Sequence, residues 1–480
     1  MGGAQAGQTL IRIVMRTTLA LFLLSSISQS GLEPSDAEAR LRMARQIARE
    51  RNDGELVSQV EKLARDFKLT LPVDAEARLQ EVEIAVGIDP GGWSMAGQPL
   101  FHPTPAMEAA LKASGPKLKE AMATADADAV RNVVAETIRL LGDQAGVPDG
   151  RRPGARPPSI QINAREATQL FLDALASEGS SIRRLSEGKP LPGQMLRLYA
   201  DVLDATTAMH GHVKAHLPER TGDLEKLARG VASILLSLQQ PEGYFPFPDL
   251  RGKNIRFGEM IERQLKHGTI QVKGGWVITA DPDGGSQFDT GVCGIALLRA
   301  GELHSEESWK SAGRRAANWA AEQKCCANFN YNAFSVSLLA HAARMTGDSK
   351  YREQALAKLR LGVAPGQAPN GRWMDPHNAR TVYHVIILRA LADLGRSPEV
   401  DAIAQPSIRT LLDEFDAMGM TVEALPELIA LSRLYPTDKR LSEAVRTMAA
   451  SLVSKCTDGK RVKMGVQPHQ LAAVAGVLAE

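Results

Sequence analysis

Apolar residues recur at helical spacing along most of the chain. From residue 162 onward the pattern predicts twelve helices, over 163–177, 194–214, 223–239, 288–300, 306–323, 330–346, 349–361, 379–393, 400–415, 421–434, 439–454 and 468–478. They fall into two sets. Those beginning near 194, 288, 330, 379, 421 and 468 are small and apolar on most faces, as in Val336-Ser-Leu-Leu-Ala340 and Val385-Ile-Ile-Leu388. Helices of that kind are buried on several sides. Those beginning near 223, 306, 349, 400 and 439 are amphipathic and suit an outer layer, and 163–177 supplies the outer partner of the last inner helix. Alternating inner and outer helices predict a closed ring, because an open stack would leave apolar faces wet.

Upstream, residues 36–142 are charged and helical. Runs at 37–49, 56–67 and 107–114 carry the i, i+3, i+4 pattern, and Gly115-Pro116 is expected to end the third. A further helix over 126–141 lines up Val130, Val133, Val134, Ile138 and Leu141. Residues 142–160 are rich in Pro, Gly and Arg and read as a linker. The expected organisation is a leader over 1–30, a helical region over 31–141, the linker, and a ring domain over 161–480.

A spaced echo sharpens the fold. Gln239-Gln-Pro-Glu-Gly243-Tyr-Phe245 returns as Gln367-Ala-Pro-Asn-Gly371-Arg-Trp373, each after a helical run. A weaker copy starts at Gln323 and a degenerate one at Lys455. The intervals of 84, 44 and 88 residues are near multiples of one unit of about 43, the mark of stacked supersecondary units. In each copy the glutamine is placed to satisfy helix-end carbonyls or to bridge to the next repeat. The glycine permits a positive φ, and the aromatic packs the turn against the next inner helix. None of these roles is catalytic.

The echo resembles the QW-type repeat of the α/α-toroid superfamily. That superfamily includes squalene and terpene cyclases, prenyltransferase β-subunits, and α/α-barrel polysaccharide lyases and glycoside hydrolases. The resemblance covers roughly residues 160–480. It implies an all-α toroid of about six helix pairs behind a small helical N-terminal region. It names no activity, because fold does not carry function.

Composition agrees and excludes some functions. Of 480 residues, 44% are hydrophobic and 5% aromatic, a profile suited to helix bundles, and a net charge of +2 argues against a dedicated nucleic-acid binder. Met15-Arg16 leads into a short apolar run to Ile27, and Ser28-Gln29-Ser30 places small residues before Gly31. That is a signal-peptide pattern, possible from a start at Met15, and it implies a secreted or periplasmic protein without stable membrane insertion once the leader is removed. Cys293, Cys325, Cys326 and Cys456 fit no zinc module, and no metal or cofactor is expected.

Outer-to-inner connections are the long ones: 241–285, 324–329, 362–378 and 455–467. One rim therefore carries the elaboration, and there the inner helices present their N-termini, whose free N–H groups favour an anionic ligand. The insertion 241–285 is expected to form an ordered loop over that mouth. The richest polar cluster is Trp373-Met-Asp375-Pro-His377-Asn378-Ala-Arg380-Thr-Val-Tyr383-His384. Arg380, Tyr383 and His384 share a helix face, combining a carboxylate fork with a candidate base and acid. Asn330, Tyr331 and Asn332 offer amide and hydroxyl recognition, and Asp283, Asp289 and Trp276 border the insertion.

The leading expectation is an exported carbohydrate-active enzyme acting on a polysaccharide, acidic or neutral. As a lyase it would use Tyr383 or His384 as base, with Arg380 on a uronate carboxylate. As a hydrolase it would pair Asp283 or Asp289 with Asp375. Asn330, Tyr331, Asn332, Asp283, Trp276, Trp373, Asp375, His377 and Asn378 are the expected substrate contacts. The alternative is a non-catalytic toroid that binds a glycan or protein. A terpene cyclase ranks below both. Asp281-Pro-Asp283-Gly departs from the D-x-D-D acid motif, and aromatics to steady a carbocation are few.

Overall fold

The computed structural model describes residues 41, 54–66, 105–141, 162–177, 179–191, 194–251, 255–268, 270–279, 285–373, 381–418, 424–458, 461–462 and 472. Chain contacts separate two compact units, Met1–Gly97 and Gln98–Glu480. In the first unit, helix α1 (Gly54–Asp66) buries Val60 and Ala64 one turn apart on a single face.

The second unit opens with a helical hairpin, α2 (Pro105–Ala123) and α3 (Ala127–Leu141). The expected stop at Gly115-Pro116 does not occur, and α2 runs through Pro116. The reason is packing: Leu111, Leu118 and Met122 bury against Val130 and Val134, which outweighs one missing N–H. The contact boundary falls at residue 97, and α3 packs on the outer layer of the ring that follows.

That ring is an α/α toroid. Its outer helices are α4 (Ala164–Ser177), α7 (Thr221–Leu238), α10 (Glu307–Glu322), α12 (Ser349–Gly362), α14 (Pro398–Met418) and α16 (Lys439–Cys456). Its described inner helices are α6 (Leu196–His216), α9 (Gly285–Leu303), α11 (Phe329–Thr346), α13 (Thr381–Leu394) and α15 (Leu425–Leu434). Helix α5 (Ser180–Ser186) packs beside α7, and α8 (Ile255–Lys266) belongs to the insertion. Each inner helix meets its successor, α6 to α9 to α11 to α13 to α15, and each of them packs on an outer partner. The expected last inner helix, 468–478, lies outside the described residues apart from Ala472. Closure is visible elsewhere, because α4 packs on α6 and also on β5 (Arg461–Val462), which pairs with β4 (Thr457–Asp458) in the short hairpin that follows α16.

The repeat motif performs the joinery expected of it. Gln239 Nε2 donates to the carbonyls of Gly243 at 2.8 Å and of Ala312, on the next outer helix, at 2.9 Å. Gln367 Nε2 donates to Gly371 O at 3.3 Å, Ile403 O at 2.7 Å and Ser407 Oγ at 2.6 Å. Gly243 (φ 105°) and Gly371 (φ 88°) touch the next outer helix backbone to backbone. A Cβ would sit 2.4 Å from Arg315 O at the first and 2.5 Å from the Pro406 carbonyl carbon at the second. Only glycine satisfies both the dihedral and the space. The aromatics Phe245 and Trp373 are fully buried. Phe245 N–H donates to Thr290 of α9, and the Trp373 ring meets His384 of α13 at 5.5 Å.

The insertion after Phe245 is more than the loop expected. It folds into a three-stranded antiparallel sheet, order β1 (Phe247–Pro248), β3 (Trp276–Thr279), β2 (Ile270–Lys273), backed by α8. Gly274 and Gly275, both at positive φ, turn β2 into β3. Leu250, Ile261, Ile270 and Val277 form its own small core, and Met195, at the entry to α6, packs against it. The insertion is thereby anchored beside the N-terminal end of α6.

Candidate functional site: a charged lumen

The inner helices carry polar stripes at helical spacing. Arg197, Asp201 and Asp204 stand at i, i+4, i+7 on α6, and Ser337, His341 and Arg344 repeat that spacing on α11. Arg389 and Asp393 sit four apart on α13, Asp289 and Arg299 lie on α9, and Glu427 opens α15. On any one helix these look like an ordinary solvated face. Ring closure brings them together.

At the elaborated rim, Arg197 forks onto Asp289, Nε to Oδ1 at 3.0 Å and Nη2 to Oδ2 at 3.2 Å. Its guanidinium also lies 3.8 Å from the centre of the Phe288 ring, which stacks on Phe334 at 4.1 Å. Burial opposes the Arg197 charge, but Asp289 outweighs it and raises the pKa. Tyr331 and Tyr383 lie close enough to Arg197 for their charges to register there. Burial pushes the Tyr331 hydroxyl well above its usual range, more than Arg197 can offset.

Deeper in the lumen the ion pairs link helices. Arg299 of α9 pairs with Asp204 of α6. Asp393 of α13 accepts from Ser337 and meets His341 Nε2 at 3.3 Å, both on α11, and Arg389 Nε at 3.2 Å. Burial alone would raise the Asp393 carboxyl, but Arg389, His341 and Ser337 together hold it far below the usual carboxylate range. Burial lowers His341 despite Asp393 beside it.

Two carboxyls escape this pairing. Asp201 is pushed up to about 7 by burial first and then by Asp204 and Glu427, with Arg197 pulling the other way. Glu427 is likewise raised to about 7, by burial and by Asp393, against the pull of Arg389. Its Oε2 is buried without a hydrogen-bond partner. Asp201 feels the charge of Glu427, so α6 and α15, the first and last described inner helices, bring these two carboxyls within electrostatic reach of each other. Both side chains keep partial surface although protein surrounds them, as expected of groups lining a narrow cavity. Neutral carboxyls near pH 7 are proton donors, and a deprotonated neighbour is a base or nucleophile.

Of the residues singled out by sequence, Asp289, Tyr331 and Tyr383 gather around Arg197 at this rim. Trp276 stands half-buried on β3 of the insertion. Asn330 is buried with an unpartnered Oδ1, while Asn328 caps α11. Three candidates are taken up by the scaffold instead. Asn332 is spent on Cys326 and Gly362: Nδ2 donates to Cys326 O at 2.8 Å and Gly362 O at 2.6 Å, and Oδ1 accepts from Cys326 N at 2.9 Å. Trp373 is fully buried, with its indole N–H on Val363 O at 2.8 Å. His384 is fully buried between α13 and α14, with Nε2 on Ser407 O at 3.3 Å, and burial with Arg372 nearby drives its pKa well below 6.5. A helix-face count cannot tell the lumen side from the outer-helix side, so the Tyr383–His384 pairing was misleading. Asp283, Asp375, His377, Asn378 and Arg380 lie outside the described residues. The stripe of Arg197, Asp201 and Asp204 was the available signal for the lumen.

No protein-family model matches the chain, and no curated protein matches it by sequence. Solved structures resemble it in part. A family 76 glycoside hydrolase from a bovine Bacteroides thetaiotaomicron strain is 10% identical, with 67% of this chain and 78% of that chain covered and a TM-score of 0.45. The cellobiose 2-epimerase of Spirochaeta thermophila is 11% identical, with 65% and 96% covered and a TM-score of 0.40. A GH127 β-arabinofuranosidase is 12% identical, with 70% and 62% covered and a TM-score of 0.42. These neighbours are carbohydrate-active enzymes, at identities too low to carry an activity across.

Proposed function

We propose that this chain is an exported carbohydrate-active enzyme that hydrolyses a glycosidic bond inside the toroid lumen. The observation that carries the reading is the pair Asp201 and Glu427, two carboxyls each raised to about 7 on inner helices, the second close enough to act on the charge of the first. Glycoside hydrolysis needs this combination: one protonated carboxyl to donate to the leaving oxygen, and one carboxylate to activate water or attack the anomeric carbon. Asp201, with Asp204 near it raising its pKa, is the proton donor. Glu427, next to Arg389 and with a free carboxyl oxygen, is the base or nucleophile. Arg197 with Asp289, Tyr331, Tyr383 and Asn330 line the approach and bind sugar hydroxyls or a uronate carboxylate. A lyase relying on His384 as base fits less well, because that imidazole is fully buried against Ser407 O. The basic-then-apolar run ending at Ile27 supports export, and N-terminal sequencing of the mature protein should begin near Gly31.

The test is reducing-end release from a panel of neutral and acidic polysaccharides, comparing wild type with D201N and E427Q. The expected result is turnover by wild type and a loss of at least about 100-fold in each variant. No release by wild type from any glycan would leave a binding toroid as the better reading.

A further inference from the structure

At the opposite rim, away from the elaborated mouth, three metal-ligating side chains converge from three helical elements. His210 stands six residues beyond Asp204 on α6, roughly 9 Å further along the helix. Glu225 lies in the first turns of outer helix α7, and His304 follows the last residue of α9. One donor atom from each lies within 4.8 Å of the others, and all three residues are half-buried. His210 Nε2 and Glu225 Oε1 are 3.0 Å apart, and the two imidazoles meet edge to face at 5.3 Å.

We propose that His210, Glu225 and His304 bind a divalent transition ion of the zinc class. The donor set is the borderline nitrogen-and-oxygen chemistry that zinc favours, and three protein ligands leave a fourth position for water. Tetrahedral zinc with bonds of about 2.1 Å places its donors about 3.4 Å apart, so the three side chains need to close up only slightly. The surroundings hold the ligands in place. Trp309 packs edge-on against the His304 ring at 5.6 Å. Ser305 takes φ 54°, a conformation costly for a non-glycine residue, in the turn just after His304. The nearby cation Arg229 is paired with Glu306, which lessens its repulsion of a metal. Of the three ligands, Glu225 also lines a surface cleft of about 460 Å³ with Gly188 and Arg229. The bound ion would staple α6, α7 and the end of α9 at a rim where the described inner-to-outer turns are short.

The experiment uses the full chain, stripped with a chelator, dialysed against zinc and analysed for bound metal and for thermal midpoint. One zinc per chain is expected, with a midpoint that rises on loading and falls back with chelator. H210A and H304A should each lower zinc affinity by at least 10-fold. H304D, which keeps a ligand, should retain measurable binding, and H212A, altering the neighbouring histidine on α6, should bind as wild type. Metal-free melts of each variant establish that it is folded, so loss of zinc by a folded variant reports the site. Less than stoichiometric zinc in wild type, or full retention by folded H304A and H210A, overturns the proposal.

Discussion

Replacing Asp201 with asparagine should make the protein more stable at alkaline pH while removing its activity. The Asp201 carboxyl moves from an ordinary 3.8 to about 7 in the folded state. A raised folded-state pKa means that the native protein holds this proton more tightly than the unfolded chain does. Its contribution to stability is therefore full below about 3.8 and is lost as pH climbs through about 7. Roughly three pKa units at about 1.4 kcal/mol each sets a ceiling near 4 kcal/mol. Asp201 keeps partial surface in the lumen, and water there screens the penalty, so on the order of 2 kcal/mol is the working figure. Asparagine mimics the neutral acid and never pays the ionisation cost. Urea unfolding of wild type and D201N near pH 8 and near pH 4.5 measures the difference. D201N should lead by on the order of 2 kcal/mol at the higher pH, and the gap should narrow to about 1 kcal/mol at the lower, where the unfolded carboxyl is still mostly ionised. A variant less stable than wild type near pH 8, or a gap independent of pH, would refute a raised carboxyl at this position.

Further outcomes follow from the scaffold. Gly371→Ala, at φ 88° with a Cβ 2.5 Å from the Pro406 backbone, should cost about 2–4 kcal/mol in urea unfolding. Gly274→Ala, at φ 61° in open space, should cost only about 1–2 kcal/mol, and equal costs would remove the steric half of the explanation. Arg372→Met should destabilise by about 3–5 kcal/mol, because it leaves the Glu414 carboxyl buried without its cation. Asn332→Ala should lose about 2–3 kcal/mol with its hydrogen bonds to Cys326 and Gly362 yet leave glycan binding unchanged, and a selective loss of binding would return it to the site.

The ring was legible because its cause is periodic. Helix spacing set the rods, and the recurrence of Gln239 through Phe245 at Gln367 through Trp373 set the repeat, since each glutamine must reach the next outer helix. The α2 hairpin was misread at Pro116 because the burial of Leu118 and Met122 against α3 is a tertiary effect that local breaker rules do not weigh. The insertion was legible only as ordered: its strands are two to four residues long, too short for alternation to register. The lumen was the least legible part. Asp201 and Glu427 lie more than 200 residues apart, and nothing local marks either as raised; burial, Asp204 and Asp393 do that only once the ring has closed. His384 left its expected role as a base for the same reason. Which side of an inner helix faces the lumen depends on where its outer partner packs, and Ser407 of α14 claims His384.

The most direct measurement is the pH dependence of kcat/KM for glycan hydrolysis in wild type, D201N and E427Q, from about pH 5 to 9. Wild type should show an acid and an alkaline limb near pH 7, where both lumen carboxyls titrate; the residual activity of D201N should lack the alkaline limb, set by the proton donor, and that of E427Q the acid limb, set by the base. A wild-type limb that persists unchanged in both variants would mean that the proton comes from elsewhere, and the Asp201–Glu427 account of the lumen would fall.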